Sequence, residues 1–259
     1  MNRARLGALL GGAGIVAIAI GCGGSTSAID SNGGGDSGAP TPPPPPPAPP
    51  PAPQPAPPPP PSDAGNDVDD IAAPTVTIQY MASCPAFTPC DASPLGTWTL
   101  QGGCISSTLF ADAKSSCPGF DVTNVTITAK GITTIDATTV SQKSHSDFTG
   151  KIFLPSSCTM GVSGAGCAFV GPYLQMAQYG GFDTATCADS GNASKPGCLC
   201  DVTKATTTSS SDTYTFTAGL MTTGSGLKYD LCVNPASTLT IRQQNTNGTP
   251  GPATFTAMK

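Results

Sequence analysis

The sequence predicts an all-β protein: an antiparallel up-and-down barrel of eight to nine strands, rich in disulfides, with short helical insertions. Apolar residues alternate with threonine in many short stretches, and a period of two puts one face of a strand on a core and the other in water. All 16 acidic residues are aspartate, and Asp favours turns whereas the absent Glu favours helix. Ten cysteines follow Cys22, an even number that is typical of a disulfide set in an exported chain.

The first 22 residues predict export. Two arginines precede an uncharged apolar run, residues 6–20, which is too short to span a bilayer comfortably. Ala19-Ile20-Gly21-Cys22 resembles the lipobox of bacterial lipoproteins, where cleavage precedes a cysteine that becomes lipidated. The resemblance implies that residues 1–21 are a signal peptide, that Cys22 is the lipidation site and, because Gly23 rather than Asp follows, that the protein is anchored in the outer membrane. A soluble secreted protein and an uncleaved membrane anchor are the alternatives.

Residues 22–74 are predicted to be the lipidated cysteine and a proline-rich, disordered tether. From residue 40 to residue 61, seventeen of 22 residues are proline. Such a run favours polyproline II and extends to roughly 70 Å. The flanking segments hold too few apolar residues to build a core. We therefore expect the fold in residues 75–259, a length that suits one domain.

The net charge and the motifs of the sequence argue against several classes of function. Loss of Arg3 and Arg5 with the signal peptide takes the net charge from −5 to −7, so nucleic acid is not an expected partner. Residues 161–165 fall one residue short of G-x-S-x-G, and the only histidine, His145, lies in an expected turn rather than in a catalytic triad. Cys198-Leu199-Cys200 is a weak metal motif in an oxidising compartment. We expect no catalytic residues, no metal and no cofactor.

The alternating stretches, in chain order, predict the strands. A Lys130-Gly131 turn is expected between the second and third of them. The predicted strands cover residues 97–100, 125–129, 132–140, 148–154, 199–206, 213–218, 227–233, 239–242 and 254–257.

Two longer stretches break this pattern and predict short helices. Residues 104–117 enclose a helical turn, and residues 155–198 contain a short helix at 172–179. Cysteines flank both. Proximity in the sequence is the only guide to disulfide pairing among many possibilities. It predicts the bridges Cys84–Cys90, Cys104–Cys117, Cys158–Cys167, Cys187–Cys198 and Cys200–Cys232.

Three segments resemble a known family. Gly96-Thr97-Trp98 is a G-x-W motif on the first strand, as in lipocalins and the lipocalin-like domains of bacterial lipoproteins. Residues 229–241 look like their late hairpin, and residues 255–259 look like their closing strand with its basic end. The resemblance covers roughly residues 95–259. It implies a lipocalin-like β-barrel and, at its mouth, a place for a small apolar ligand.

Two unique residues are candidates for closing the barrel. Trp98 is the only tryptophan, and Arg242 is the only arginine outside the predicted signal peptide. We predict that Arg242 stacks on the Trp98 ring where the first and late strands meet, a cation–π contact. The alternative is that Trp98 simply fills the core and Arg242 is solvated. Both interpretations make these residues structural.

The expected function is that of a lipid-anchored cell-envelope lipoprotein, a structural or protein-contact β-barrel with no catalytic activity. Its expected partners are the membrane, through Cys22, and an envelope protein. The alternative is binding of a small apolar ligand at the barrel mouth. Small inward residues such as Ala129 and Gly150 leave room for a cavity, whereas a barrel of eight strands can also be just full. The sequence leaves both open.

Overall fold

The computed structural model describes residues 71–259 apart from residues 160, 162, 178, 179 and 236. The predicted signal peptide, Cys22 and most of the tether lie outside the described residues. Short 3-10 helices at Ser107–Phe110 and Gly164–Phe169 lead into the two α-helices. The helices and strands are β1 (Val76–Met81), β2 (Gly96–Ser106), α1 (Ala111–Ser116), β3 (Asp121–Ile135), β4 (Thr139–Pro155), α2 (Val170–Gln175), β5 (Thr184–Asp189), β6 (Gly197–Thr217), β7 (Leu220–Thr223), β8 (Lys228–Asn234), β9 (Thr238–Gln244) and β10 (Pro250–Met258).

The ten strands form one sheet that closes on itself like a barrel. Eight of them make a ring in the order β2, β3, β4, β6, β7, β8, β9, β10 and back to β2, with every step antiparallel. The prediction of a β-rich, barrel-like fold is confirmed. Eight to nine strands were predicted and the sheet has ten, because β1 and β5 pair with it in addition to the eight strands of the ring. β1 lies between β2 and β3 and runs parallel to β2, which corrects the prediction of a wholly antiparallel sheet.

Two predicted interruptions are in fact continuous strand. The expected Lys130-Gly131 turn is wrong, because β3 runs straight through it and Gly131 pairs with Ser144 of β4. A Cβ on Gly131 would lie 3.2 Å from the Ser144 Cβ, so this glycine permits close contact between strands. The two strands predicted at 199–206 and 213–218 are one strand, β6, whose Ser/Thr-rich middle pairs with β4 throughout.

The interior of the ring has two apolar clusters with a polar layer between them. Along β4 the buried residues change from Val140 in the smaller cluster, through Gln142 and Ser144, to Phe148 in the larger one. No buried side-chain nitrogen or oxygen of the described residues lacks a hydrogen-bond partner. Polar groups buried in this way are stable only when they are paired, and the buried side chains of the middle layer meet this condition.

Both helical insertions pack against the larger apolar cluster. The first contributes Phe110 and Ala113 to it, and the second contributes Leu174 and Phe182. The short helices predicted in these regions are therefore present, although α2 begins and ends earlier than the expected 172–179. The insertions cover one end of the ring with side chains.

All ten predicted disulfide cysteines are bridged, but the five predicted pairings are wrong. Sequence proximity failed because the folded chain brings distant segments together. Cys187 and Cys200, for example, lie directly opposite each other on β5 and β6, whereas Cys198 bonds to the insertion that precedes β5. The observed bridges are Cys84–Cys104, Cys90–Cys232, Cys117–Cys158, Cys167–Cys198 and Cys187–Cys200.

The segment between β1 and β2, residues 82–95, forms a strap across the outside of the sheet. Cys84 attaches it to β2 and Cys90 attaches it to β8, and the spatial order β2, β10, β9, β8 puts two strands between these points. Neighbouring strands are about 4.8 Å apart, so the strap crosses roughly 14 Å of sheet. This is why Cys84 and Cys90 do not bond to each other.

One edge of β6 is open along its middle. Pairing with β5 ends at Thr203 and pairing with β7 begins at Tyr214, and no other strand of the described residues pairs with the edge between them. The Tyr214 N–H donates to the Thr138 carbonyl beside β4, whereas the Thr213 carbonyl accepts from Gly224 on the other side. Odd-numbered residues of β6 therefore direct their main-chain groups to the open edge.

This alternation gives a matched pair of proline substitutions. Thr208→Pro removes an N–H that points to Ser144 of β4, and it should lower the free energy of unfolding by about 2–3 kcal/mol because a buried carbonyl loses its donor. Ser209→Pro removes an N–H at the open edge, where proline is tolerated, and should cost well under half as much. Urea unfolding of the two variants checks this, and equal losses would contradict an open edge.

Candidate functional site

Arg242 lies on the outer face of the sheet, beneath the strap. Its Nε and Nη2 donate to Asp230 Oδ2 at 3.1 and 2.8 Å, and Gln244 Nε2 donates to Asp230 Oδ1 at 2.6 Å. The guanidinium carbon lies 5.1 Å from the centre of the Phe87 ring, which belongs to the strap. Arg242 therefore has an aromatic partner, as expected, but the partner is Phe87. The predicted stack on Trp98 is wrong, because Trp98 points into the ring.

Trp98 is fully buried at the end of the ring where the chain terminates. Its indole N–H donates to the Pro94 carbonyl at 2.7 Å, and Lys259 Nζ lies 5.0 Å from the ring centre. The Lys259 side chain also passes over Gly96, where a Cβ would meet Lys259 Cε at 2.7 Å. Gly96 has a φ of +132°, which favours glycine. In the G-x-W motif, Gly96 and Trp98 therefore both pack against the Lys259 side chain.

Lys259→Ala should alter the fluorescence of Trp98, because it removes the cation beside the only indole of the protein. The expected loss of unfolding free energy is about 0.5–1 kcal/mol, the magnitude of an exposed cation–π contact. Lys228→Ala, which removes a charge from an exposed position on β8, is the control and should leave the emission spectrum unchanged. An unchanged spectrum in Lys259→Ala would contradict the contact.

The ends of the ring are occupied by protein side chains. Trp98, Met221 and Leu231 fill one end, and none of them is more than 1% exposed. The other end holds the larger cluster that the insertions cover. The polar layer of Gln142 and Ser144 separates the two. A small apolar ligand at the mouth, as the family resemblance implies, would therefore have to displace packed side chains or contact polar ones.

A groove of about 730 Å³ lies on the outer surface near the covered end. Its floor includes Phe153 and Leu199, which face each other on β4 and β6. Asp121, Asn192 and Lys195 lie on its polar rim. Its volume is in the range of small-molecule sites, and its apolar floor with a polar rim suits an amphipathic group.

His145 lies on the outer face of β4 rather than in the turn that the sequence predicted. Its Nδ1 is 2.8 Å from Thr207 Oγ1, and its Nε2 is 3.2 Å from both carboxylate oxygens of Asp147. Thr207 is the residue that sequence reasoning missed, since only the β4–β6 register brings it to His145. The three side chains lie outside the groove, and the described residues contain no group of three or more potential metal ligands.

The second insertion carries an apolar surface. Phe169, Tyr173 and Met176 are exposed at 75%, 50% and 45%. Tyr173 lies within α2, and Phe169 and Met176 are the residues that flank the helix at its two ends. Within the described part of the chain, no helix has the length and apolar character needed to cross a membrane.

The open edge of β6 is flanked by two charged residues. Lys204 Nζ donates to the Gly180 carbonyl at 3.1 Å, and Asp212 accepts from the Ser225 N–H at 3.0 Å. The side-chain and backbone hydrogen bonds from Ser225 lower the pKa of Asp212, because they favour its ionised form. Charges at the ends of an exposed edge limit uncontrolled strand pairing.

Comparisons with protein-family models, with curated proteins and with solved structures found no match to this chain.

Proposed function

We propose that this protein is a cell-envelope lipoprotein, anchored in the outer membrane through Cys22, whose lipocalin-like β domain acts as a structural or protein-contact module without catalytic activity. One observation carries this proposal: the inside of the ring holds apolar side chains at both ends and a paired polar layer between them. A domain built in this way offers its outer surface, rather than its interior, for recognition.

The open edge of β6 is the feature that best suits protein contact. The main-chain N–H and C=O groups of Thr207 and Ser209 would bond to an extended segment of an envelope protein, which would add a strand to the sheet. The hydroxyl-rich residues 206–211 give this edge little side-chain bulk. Five disulfides keep the surrounding sheet in place, as suits a domain exposed outside the cytoplasm.

Extraction of the purified protein with organic solvent, followed by mass spectrometry, tests the proposal that the interior is not a ligand site. We expect no lipid at a stoichiometric amount beyond the acyl chains attached to Cys22. Recovery of one molar equivalent of a non-covalent apolar compound would contradict the proposal.

Cys22→Ala should remove the protein from the membrane fraction, because no acyl group can then be attached. The measurement is the share of the protein that sediments with envelope membranes and partitions into detergent. Ser25→Ala, three residues further along the predicted tether, is the matched control and should stay with the membranes. Unchanged partitioning of Cys22→Ala would show that the anchor lies elsewhere.

Binding of a small apolar ligand is the second candidate function, and the outer groove is the observation that favours it. Phe153 and Leu199 give an apolar floor, and Lys195 and Asp121 give opposite charges at the rim. Replacing Leu199 with Ser would weaken such binding without touching the interior of the ring, since Leu199 faces outward between Cys198 and Cys200.

A further inference from the structure

The outer groove lies at the end of the sheet where β3 begins and β4 ends. One row of paired residues crosses it: Asp121 of β3 lies opposite Phe153 of β4, and Phe153 lies opposite Leu199 of β6. The loop of residues 190–196, which joins β5 to β6, forms the far wall. Since neighbouring strands are about 4.8 Å apart, roughly 10–14 Å separate Asp121 from this loop. The floor between them is wide enough for a ring-shaped ligand to lie flat on it.

The Phe153 ring lies across this floor instead of standing away from the sheet. A Cβ on Gly197, which precedes Leu199 on the outer face of β6, would lie 3.0 Å from Phe153 Cε2. The ring therefore covers the space that a side chain at position 197 would fill. The ring is half-buried and lines the groove, so its other side is open to a ligand. The face of an aromatic ring carries partial negative charge and attracts C–H groups that are placed over it.

The loop side of the groove offers hydrogen-bond donors. Internal hydrogen bonds fix this loop: Ser190 Oγ donates to the Lys195 carbonyl at 2.9 Å, and Asn192 Oδ1 accepts from the Ser194 N–H at 3.0 Å. Because the amide oxygen of Asn192 is used within the loop, its Nδ2 is the group that is left for a ligand. Lys195 forms no ion pair with any described residue, so its ammonium is a second donor.

The opposite side of the groove offers an acceptor. Asp121 Oδ1 accepts from the Val122 N–H at 2.9 Å, and Lys114 Nζ lies 3.9 Å from the same oxygen. The Asp121 side chain is 57% exposed, and its second oxygen, Oδ2, bonds to no other group of the described residues. Lys151 and Asp201, which follow on the outer face, pair with each other and do not line the groove. The rim of the groove thus has one carboxylate on one side and one ammonium on the other.

We propose that the outer groove binds a neutral saccharide, with one pyranose ring stacked on Phe153. Sugar hydroxyls both donate and accept hydrogen bonds, so they suit a carboxylate on one side and N–H donors on the other. The C–H groups on the face of the sugar ring suit the aromatic floor. A wholly apolar ligand would leave both sides of the rim unpaired, and a charged ligand would meet a like charge on one side. The inference goes beyond the proposed function, because it needs neither the anchor on Cys22 nor the open edge of β6.

Ligand-observed saturation-transfer NMR tests this inference on the full chain, kept in a zwitterionic detergent that contains no sugar. The probes are cellotriose and triacetylchitotriose, which are neutral, and digalacturonic acid, which is anionic. We expect saturation transfer to the ring C–H protons of at least one neutral probe. Transfer to neither neutral probe overturns the proposal, and so does a stronger signal for digalacturonic acid than for both of them.

Substitutions in the groove distinguish a saccharide from a small apolar ligand. Phe153→Leu keeps the floor apolar but removes the aromatic face, and it should raise the dissociation constant of the neutral probe about fivefold. Asp121→Asn, at an exposed position, removes a charged acceptor and should raise it about tenfold. Asp201→Asn is the matched control, because it makes the same change on the outer face beside the groove. Equal dissociation constants in all three variants would overturn the proposal.

Neutral saccharides occur both in the glycan strands of the cell wall and in polysaccharides outside the cell. Sedimentation of the full chain, in the same detergent, with purified peptidoglycan sacculi and with cellulose distinguishes these two sources. Sedimentation that Asp121→Asn reduces and Asp201→Asn leaves unchanged supports the groove as the binding site. Sedimentation that neither substitution reduces contradicts it, as does a lack of sedimentation with both materials. None of these results depends on Cys22, so a failure of this inference leaves the proposed anchor untouched.

Discussion

Removing the Cys90–Cys232 bridge, by a double substitution of both cysteines with Ala, should lower the free energy of unfolding by up to about 5 kcal/mol. The two cysteines are 142 residues apart in the sequence, the longest separation among the five bridges. In the chain-entropy model, the stabilisation rises with the logarithm of the loop that the bridge closes, and about 5 kcal/mol is the value for a loop of this length. The other bridges shorten the effective loop, which makes this figure an upper bound.

The matched control is the double substitution of Cys187 and Cys200, which are 13 residues apart. Their loop predicts a loss of about 3 kcal/mol, and both variants lose two sulfur atoms. Guanidinium unfolding of the two variants, each under oxidising conditions, gives the comparison. A smaller loss for the Cys90 and Cys232 variant than for the control would mean that the strap contributes little to stability.

Local patterning in the sequence was enough to predict a β-rich barrel, but not where its strands join. Alternation identified most of the strand segments, since it depends only on which face each residue presents. It could not show that Lys130 and Gly131 continue a strand, because glycine is a common turn residue. The alternating VTIQYM of β1 carried a signal that the prediction overlooked.

The disulfide pairings could not be predicted from the sequence for a different reason. A cysteine's partner is fixed by strand order and register, and these depend on the whole fold rather than on sequence distance. Cys84 and Cys90 are six residues apart, yet the strap that joins them crosses the sheet from β2 to β8. An extended segment of that length spans about 20 Å, so nearness in the sequence does not mean nearness in space.

The exposed surfaces of the protein could be predicted only in part, for the same reason. The sequence located the second insertion and its short helix, but only the packing of Gly171 on β5 shows which side of that helix is exposed. Likewise, the Ser/Thr-rich run in β6 gave no sign of an open edge, since that edge exists only because β5 ends at Thr203 and β7 begins at Tyr214. Whether a residue is exposed depends on which elements pack beside it, and the topology of the fold determines those elements.

Arg242→Ala should lower the free energy of unfolding by about 3–5 kcal/mol, because it leaves the buried carboxylate of Asp230 without its cation. Asp230 is only 6% exposed, and the strap residue Phe87 covers the pair on the outer face. Gln244 alone would remain as a donor to the carboxylate. Chemical denaturation of the variant measures the loss.

The control for Arg242→Ala is a second variant that removes both charges, Arg242→Leu with Asp230→Leu. Replacing a whole buried ion pair with apolar side chains is often nearly neutral, so this variant should be more stable than the single substitution. A loss below about 1 kcal/mol would mean that the ion pair is not the element that holds the strap to the sheet. The unfolding free energies of the two variants therefore distinguish an ion pair that is buried beneath the strap from an exposed charge on the surface of β9.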